Sequence, residues 1–308
     1  MLRVSLIICT YNRADILSRC LVAAREQTLS GSDYEIIVVD NASTDHTRAV
    51  VERFVSTAGK GAEVRYLFES AKGLSHARNA GAEAARSPTV TYIDDDAIAA
   101  PDLLERIDQV FKAHPDAGAV GGRIDLRLPG QLPWWYSDYF DGYYSKFDLK
   151  VVEVTRASEV WQYPFGANIS LSRVALESVG GFNIRMGRIG RDCSGGEEID
   201  ACCRIAHAGY GIYYTPFASV EHVVFPSRLY WDHIAKTARA AGRNWAYYEF
   251  EVLKSGQELR PDILAFLSTC KQMVIRGAQR SFKDFCISYS QCLFYRAKII
   301  RKLRYRWA

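Results

Sequence analysis

The sequence predicts an α/β domain, a mostly parallel sheet flanked by helices, with a helical extension at its C-terminal side. Three observations predict it. Through the first hundred residues, short β-branched and apolar runs alternate with helix-periodic segments. Two of those runs end in Asp, at the strand ends where open parallel sheets bind their ligands. From residue 228 onward strand signals cease and helical periodicity takes over. Residues 1–225 are expected to form the α/β domain and residues 226–308 the extension.

The first strand is the apolar run 4–9. Ile16, Leu17, Cys20, Leu21 and Ala24 then mark one helix face at three- and four-residue steps. Residues 35–39 form a second buried strand that ends in Asp40. A helix over about 45–56 follows, with Ser43, Thr44 or Asp45 as its cap. Residues 64–67 read as a third strand, and the stretch 73–81 opens another helix. Thr89, Val90, Thr91, Tyr92 and Ile93 form the strand that runs into Asp94, Asp95 and Asp96. A helix over about 102–114 comes next, with Asp102 as a possible cap. Residues 129–147 are rich in aromatics, which could line a sugar or lipid site or equally pack on the core. Residues 166–171 read as a strand, and Val174, Leu176 and Val179 as a short helix stopped by Gly180 and Gly181. Glu197, Glu198 and Asp200 open a helix whose Ile199, Cys202, Cys203 and Ala206 face inward. Two strand segments, 212–215 and 220–224, follow, with His222 at a loop or strand end. The extension reads as two or three helices punctuated by Gly256 and Pro261.

At 308 residues there is ample material for a core. No stretch reaches the roughly 18 consecutive apolar residues of a membrane span, and the N-terminus has no signal-peptide plan. A cytoplasmic chain is expected. Eight cysteines without a CxxC pair argue against a zinc site, and Cys9, Cys202 and Cys203 read as reduced core residues. The mild net charge of +4 hides an asymmetry. Residues 226–308 hold 16 Lys/Arg against 6 Asp/Glu, and residues 1–225 hold 23 against 29. The stretch 295–307 mixes basic and apolar-aromatic residues without one acid, a composition suited to the headgroup region of an anionic membrane or to a solvated helix end. No nucleic-acid-binding motif accompanies it.

Side chains alternate along a strand, so Asp94 and Asp96 are expected on one side and Asp95 on the other. Two converging carboxylates repel unless a cation joins them, and Mg²⁺ combines one or two carboxylates with water and substrate phosphates. The plainer alternative is an acidic turn ahead of a helix. A nucleotide crevice would give further roles. Tyr11 could stack on a base, Asp40 could accept from base or ribose, and Lys72 and Arg78 could meet phosphates. Arg78 on a helix is otherwise a solvated charge. His222 could be a satisfied structural histidine or a third metal ligand. Neither a GxGxxG turn nor a P-loop is present.

In order, the segments 5–13, 38–45, 73–81, 94–96, 166–168 and 180–182, then 197–200, resemble the motifs of family 2 glycosyltransferases. The likeness covers about residues 1–225 and is carried by seven motifs in order. It implies a GT-A fold and inverting transfer from a nucleotide-diphosphate sugar. On that resemblance Thr10, Tyr11 and Arg13 match the nucleotide loop, Asp40 the base contact, and Arg78 a basic position near the nucleotide. Asp94 and Asp96 match the DxD element, with Asp95 beside them among the nucleotide-binding residues and Asp96 as metal ligand. His222 falls where many GT-A enzymes supply a further ligand to Mg²⁺ or Mn²⁺. Glu197 and Glu198 match an acidic pair, usually Glu-Asp, whose second member is the base; a Glu at 198 leaves open which of the two makes the productive contact. The implied partners are a nucleotide-diphosphate sugar donor and a saccharide or lipid-linked saccharide acceptor for surface polysaccharide or glycolipid. The basic tail could hold the chain at the inner membrane face. A sugar nucleotidyltransferase and an inactive nucleotide- or sugar-binding relic are the alternatives.

Overall fold

Strand β1 (Val4–Thr10) is buried almost throughout and forms the centre of a parallel block. It pairs in parallel with β2 (Tyr34–Asp40) on one side and β4 (Thr89–Asp94) on the other, and β3 (Glu63–Phe68) lies outside β2. Continuous apolar runs suit strands covered on both faces, which is why these four were legible as strands. The computed structural model of the chain describes residues 2–57, 61–189, 195–254 and 258–306. The expected break at Gly256, the terminal Trp307 and Cys193 lie outside the described residues.

The helices alternate with these strands. They are α1 (Ala14–Arg25), α2 (Thr47–Thr57), α3 (Leu74–Ala84) and, beyond the Asp triplet, α4 (Leu103–Ala113). Helix α2 starts two residues later than expected, because Asp45 accepts hydrogen bonds from the Thr47 N–H (3.0 Å) and hydroxyl (2.5 Å) and orders the turn ahead of it. Asp102 makes no cap bond; its carboxylate pairs with Arg106 at 2.9 Å. The sheet continues beyond β4 with β8 (Asn168–Ser172), β6 (Ala117–Arg127), β9 (Gly211–Val223) and β5 (Ala97–Ala99), and the short β7 (Thr155–Arg156) pairs with β9. β8 is antiparallel to both neighbours, so β6 and β9 run in the same sense as β1–β4, and among the described residues β5, β7 and β8 oppose them. The sheet is thus mixed but mostly parallel, as expected. The two segments foreseen at 212–215 and 220–224 are one strand, β9. Its register on β6 shifts between Gly122 and Arg123, opposite Thr215 and Ser219, and this irregularity absorbs Pro216. Helices α5 (Arg173–Ser178) and α6 (Glu197–His207) complete this part of the chain.

Two compact units divide the chain. The first holds Met1–Arg127, Ser145–Gly190 and Glu197–Val223, and the second holds Leu128–Tyr144, Arg191–Gly196 and Val224–Ala308. In the second unit, α7 (Trp231–Tyr247), a π-helical turn (Tyr248–Val252), α8 (Arg260–Ala278) and α9 (Phe282–Arg306) follow one another. Most of the aromatic segment packs: Trp135 meets Phe140 and Trp231 edge-on, and Trp231 stacks on Tyr289 of α9 at 5.8 Å. Trp134 and Tyr139 are more open, at 65% and 40% exposed. Helices α7 and α9 run parallel, since Trp231 meets Tyr289 while Gly242 meets Phe294 and Lys298. A Cβ at Gly242 would stand 2.1 Å from the Phe294 carbonyl oxygen, so this close approach requires glycine. Among the described residues, no helix is long and apolar enough to cross a membrane.

The basic tail departs from its expectation in one respect. Lys298 and Lys302 turn inward and are 5% and 4% exposed. Lys298 meets Glu249 at 2.8 Å and Asp262 at 2.6 Å; Lys302 meets the same two acids at 2.6 and 2.5 Å. A buried ammonium needs such partners, because desolvation costs several kcal/mol per ion. These two charges are therefore spent inside the unit and do not face an outside surface.

Candidate active site

Three elements bring the acidic groups together. Strand β4 delivers Asp94, and Asp95 and Asp96 form the turn that leads into β5. β5 then pairs antiparallel with the end of β9, in a register that sets Ala97 opposite His222. The Val223 N–H donates to the Asp96 carbonyl at 2.9 Å and closes the arrangement. As a result His222 Nε2 lies 3.0 Å from Asp96 Oδ1 and 4.0 Å from Asp94 Oδ2. One ligand atom from each of Asp94, Asp96 and His222 falls within 4.8 Å of the others. The expected alternation is present: Asp95 points elsewhere and accepts a hydrogen bond from the Thr10 hydroxyl at 2.8 Å. Burial, and then the neighbouring Asp96, push the Asp95 carboxyl up to about 7. Arg13 Nη1 stands 3.4 Å from Asp96 Oδ2 and supplies positive charge on that side.

Two carboxylates and one imidazole are a donor set that fits Mg²⁺ or Mn²⁺. His222 is 1% exposed and its Nδ1 is buried without a hydrogen-bond partner. A structural histidine normally has both ring nitrogens satisfied. The orphaned nitrogen means that the ring's polar contacts are concentrated on the side facing the two Asp residues.

A second cluster is built around Arg78 on α3. Expected as a solvated charge or a phosphate contact, it is buried at 3% exposure. Its Nη1 pairs with Glu197 Oε1 of α6 and stands 3.9 Å from Glu198 Oε2, and its Nη2 stands 3.9 Å from Asp94 Oδ1. The guanidinium therefore joins the Glu197–Glu198 pair to the end of β4. The rings of Phe182 and Tyr92 lie 5.5 and 6.0 Å from it, and the Tyr92 hydroxyl donates to the Arg78 carbonyl. Gly166 leaves room for this: a Cβ there would be 2.0 Å from Nη2. Burial, and then Glu198, push the Glu197 carboxyl up to about 7 against the pull of Arg78. Glu198 keeps 15% side-chain exposure and is the accessible member of the pair. Asp200 is taken up by Arg204 on the same helix.

At the other end of the crevice, Thr10 and Asp40 are register partners at the ends of β1 and β2. Asp40 accepts from the Ser43 N–H at 2.9 Å and from the Tyr66 hydroxyl at 2.8 Å, so the protein engages both its oxygens. Tyr11 is half-buried, with Lys72 Nζ 5.7 Å from its ring centre. Sequence reasoning did not single out Asn12. Its backbone has a positive φ of 52°, which Asn tolerates, and its side-chain oxygen accepts from the Thr44 and Asp45 N–H groups, tying the loop after β1 to the loop after β2. An Asn immediately after a β-strand, with turn residues opposite, was the available signal.

Residues 5–177 match the family model for Glycosyl transferase family 2, so the chain belongs to that family of glycosyltransferases. Among curated relatives, the glucosyl-dolichyl phosphate glucuronosyltransferase of Haloferax volcanii is 27% identical over 75% of this chain and 72% of its own length. The validoxylamine A glucosyltransferase of Streptomyces hygroscopicus subsp. jinggangensis is 28% identical over 58% of this chain, which spans 46% of that protein. The fold is GT-A. It superposes on the mannosyltransferase PcManGT of Pyrobaculum calidifontis, solved with GDP-Man and Mn²⁺, with a TM-score of 0.67 and 21% identity, covering 98% of this chain and 87% of that one.

Proposed function

We propose that this glycosyltransferase moves a sugar from a nucleotide-diphosphate donor to an acceptor hydroxyl with inversion, and that Glu198 is the base. The observation that carries the reading is the double contact of Arg78, which places the Glu197–Glu198 pair beside Asp94 and so beside the Asp94–Asp96–His222 cluster. Asp94, Asp96 and His222 would hold Mg²⁺ or Mn²⁺, which when bound supplies Lewis-acid stabilisation of a departing diphosphate, worth several kcal/mol. Thr10 holds Asp95 in place and so fixes the turn that presents Asp96. Arg78 occupies the buried Glu197, leaving the more exposed Glu198 to take the acceptor proton, a contribution of roughly 10²–10⁴-fold. Direct attack opposite the leaving group needs no covalent intermediate. The crevice near Tyr11, Arg13 and Asp40 would take the nucleoside. The Haloferax relative's name includes a dolichyl phosphate, which supports a lipid-linked saccharide as acceptor and work from the cytoplasm at the inner membrane face. The family match gives no support to a sugar nucleotidyltransferase.

The test is a thermal-shift screen of nucleoside diphosphates with and without Mn²⁺. A ligand at about 100 times its dissociation constant adds roughly 2.7 kcal/mol of stability. One diphosphate should shift the wild type in a metal-dependent way and leave Asp96→Ala unmoved. Glu198→Gln should keep the shift and lose sugar transfer. A shift that needs neither metal nor Asp96 would overturn the assignment.

A further inference from the structure

Helix α8 is apolar on two opposite faces, and one of them is open. The inner face packs on α9. Asp262 meets Lys302, the Cys270 and Cys292 sulfurs lie 3.5 Å apart, and a Cβ on Gly277 would touch the Phe285 ring at 3.5 Å. Phe266 and Met273 fall between these positions at three- and four-residue steps. On the other side Ile263, Leu264, Leu267 and Val274 are between 42% and 67% exposed. With Arg260, Lys271 and Ala278 they recur at the same steps and form one stripe. The stripe runs for about 27 Å, at 1.5 Å per residue. A helix that is apolar all round is ordinarily covered all round, and this one is covered on one side.

The charge on α8 is one-sided as well. Its single acid, Asp262, is buried and held by Lys298 and Lys302. Arg276 is met by Asp284 at 3.9 Å. Arg260 and Lys271 are exposed within the stripe and, among the described residues, have no acidic partner. These two cations decide what covers it. Lys271 lies two residues from the middle of α8. A second copy packed stripe to stripe about a two-fold axis would set the two Lys271 side chains within about 6 Å along the helices. No acid of the stripe stands between them, and desolvating unpaired ammonium groups opposes such a pairing. The cores of protein interfaces are depleted in Lys and anchored on aromatic residues, whereas this stripe has a Lys inside it and is aliphatic. At a bilayer surface the same pattern is favourable. Leucine and valine side chains enter the acyl boundary, while the Arg and Lys stems lie along it and carry their charges out to anionic headgroups.

We infer that the outer face of α8 is the surface by which this chain lies on a bilayer of anionic lipid, with Ile263, Leu264, Leu267 and Val274 in the acyl boundary and Arg260 and Lys271 at the headgroups. The surface lies on α8 and not on the stretch 295–307, two of whose lysines are turned inward. The inference deepens the reading of work at the inner membrane face and rests on it for its use; the surface itself does not depend on the sugar chemistry.

Flotation of the full chain tests it, with vesicles of phosphatidylcholine alone and with phosphatidylglycerol added. The chain should float with the anionic vesicles and far less with the neutral ones. Leu264→Gln/Leu267→Gln should weaken binding about a hundredfold, at roughly tenfold per leucine. Arg260→Gln/Lys271→Gln should weaken it roughly 30-fold, at about fivefold per cation. All four side chains are exposed, so both variants should keep the thermal midpoint of the wild type. The matching change on α9, at the exposed Ile300 and Leu303, is Ile300→Gln/Leu303→Gln, and it should leave flotation intact. Equal flotation on neutral and anionic vesicles, or none on either, would overturn the proposal. Flotation lost by the α9 variant and kept by the α8 leucine variant would overturn it in favour of the C-terminal stretch. A lipid-free dimer that Leu264→Gln/Leu267→Gln dissociates would overturn it in favour of a second copy. No flotation beside an intact Mn²⁺-dependent nucleotide shift would sink this surface alone; flotation by a chain that no nucleotide shifts would sink the donor-site reading alone.

Discussion

Placing a single methyl group at residue 166 should separate Arg78 from Glu197, the neighbour of the proposed base Glu198. In Gly166→Ala the new Cβ would lie 2.0 Å from Arg78 Nη2, about 1.4 Å inside ordinary contact. The guanidinium has little room to give way: it is 3% exposed, bordered by Phe182 and Tyr92, and bound to Glu197. It can only leave Glu197, whose other oxygen is already buried without a partner. Separating a buried pair so that one charge is uncompensated costs about 3–5 kcal/mol, against a total stability of about 5–15 kcal/mol. Urea denaturation measures this directly, with Gly130→Ala as control, because a Cβ at Gly130 meets nothing within 4 Å. In the Glu197→Gln background the same substitution should cost much less, since the ion pair that the new Cβ breaks is already absent. Gly166→Ala with a urea midpoint and transfer rate equal to those of the control would refute the contact and the role given to Arg78.

Further expectations follow from the same geometry. Glu197 has a folded-state pKa raised to about 7 from an ordinary 4.5, so the folded chain holds this proton longer than the unfolded one. Its contribution is full below about 4.5 and is lost as pH rises through 7. Denaturation at pH 5 and pH 7.5 should therefore show the wild type losing stability relative to Glu197→Gln, and parallel curves would count against the shift. Lys298→Ala leaves Glu249 and Asp262 with one ammonium between them, and should lower stability by roughly 3 kcal/mol, read by thermal denaturation; a change under about 0.5 kcal/mol would mean that the acids are solvated. Asn12→Ala removes the acceptor of the solvent-exposed Thr44 and Asp45 N–H groups, and should cost about 0.5–1.5 kcal/mol and weaken nucleotide-dependent protection more than metal binding, checked by isothermal titration.

The parallel half of the sheet was legible because its strands are buried on both faces and read as unbroken apolar runs. Strand β5 was not, since Ala97, Ile98 and Ala99 carry no periodic signal and pair only because β9 arrives from more than a hundred residues away. Pro216 made β9 read as two strands, and only the register shift on β6 shows how one strand accommodates it. In the site, the shared side of Asp94 and Asp96 followed from alternation. The burial of Arg78 did not, because its partner Glu197 is 119 residues distant and a helical arginine is ordinarily solvated. The inward turn of Lys298 and Lys302 was hidden for the same reason: their acids sit in the π-helical turn and on α8, and no local spacing connects them.

The pairing of β5 with β9 has a consequence for how the chain is made. His222 is synthesised long after Asp94 and Asp96, and it reaches them only when β9 inserts between β6 and β5. Contacts of such long sequence separation form late. A nascent chain still short of β9 on the ribosome carries two of the three candidate ligands and no means of bringing in the third. The cluster therefore cannot form on a partial chain, and its completion coincides with the closing of the sheet.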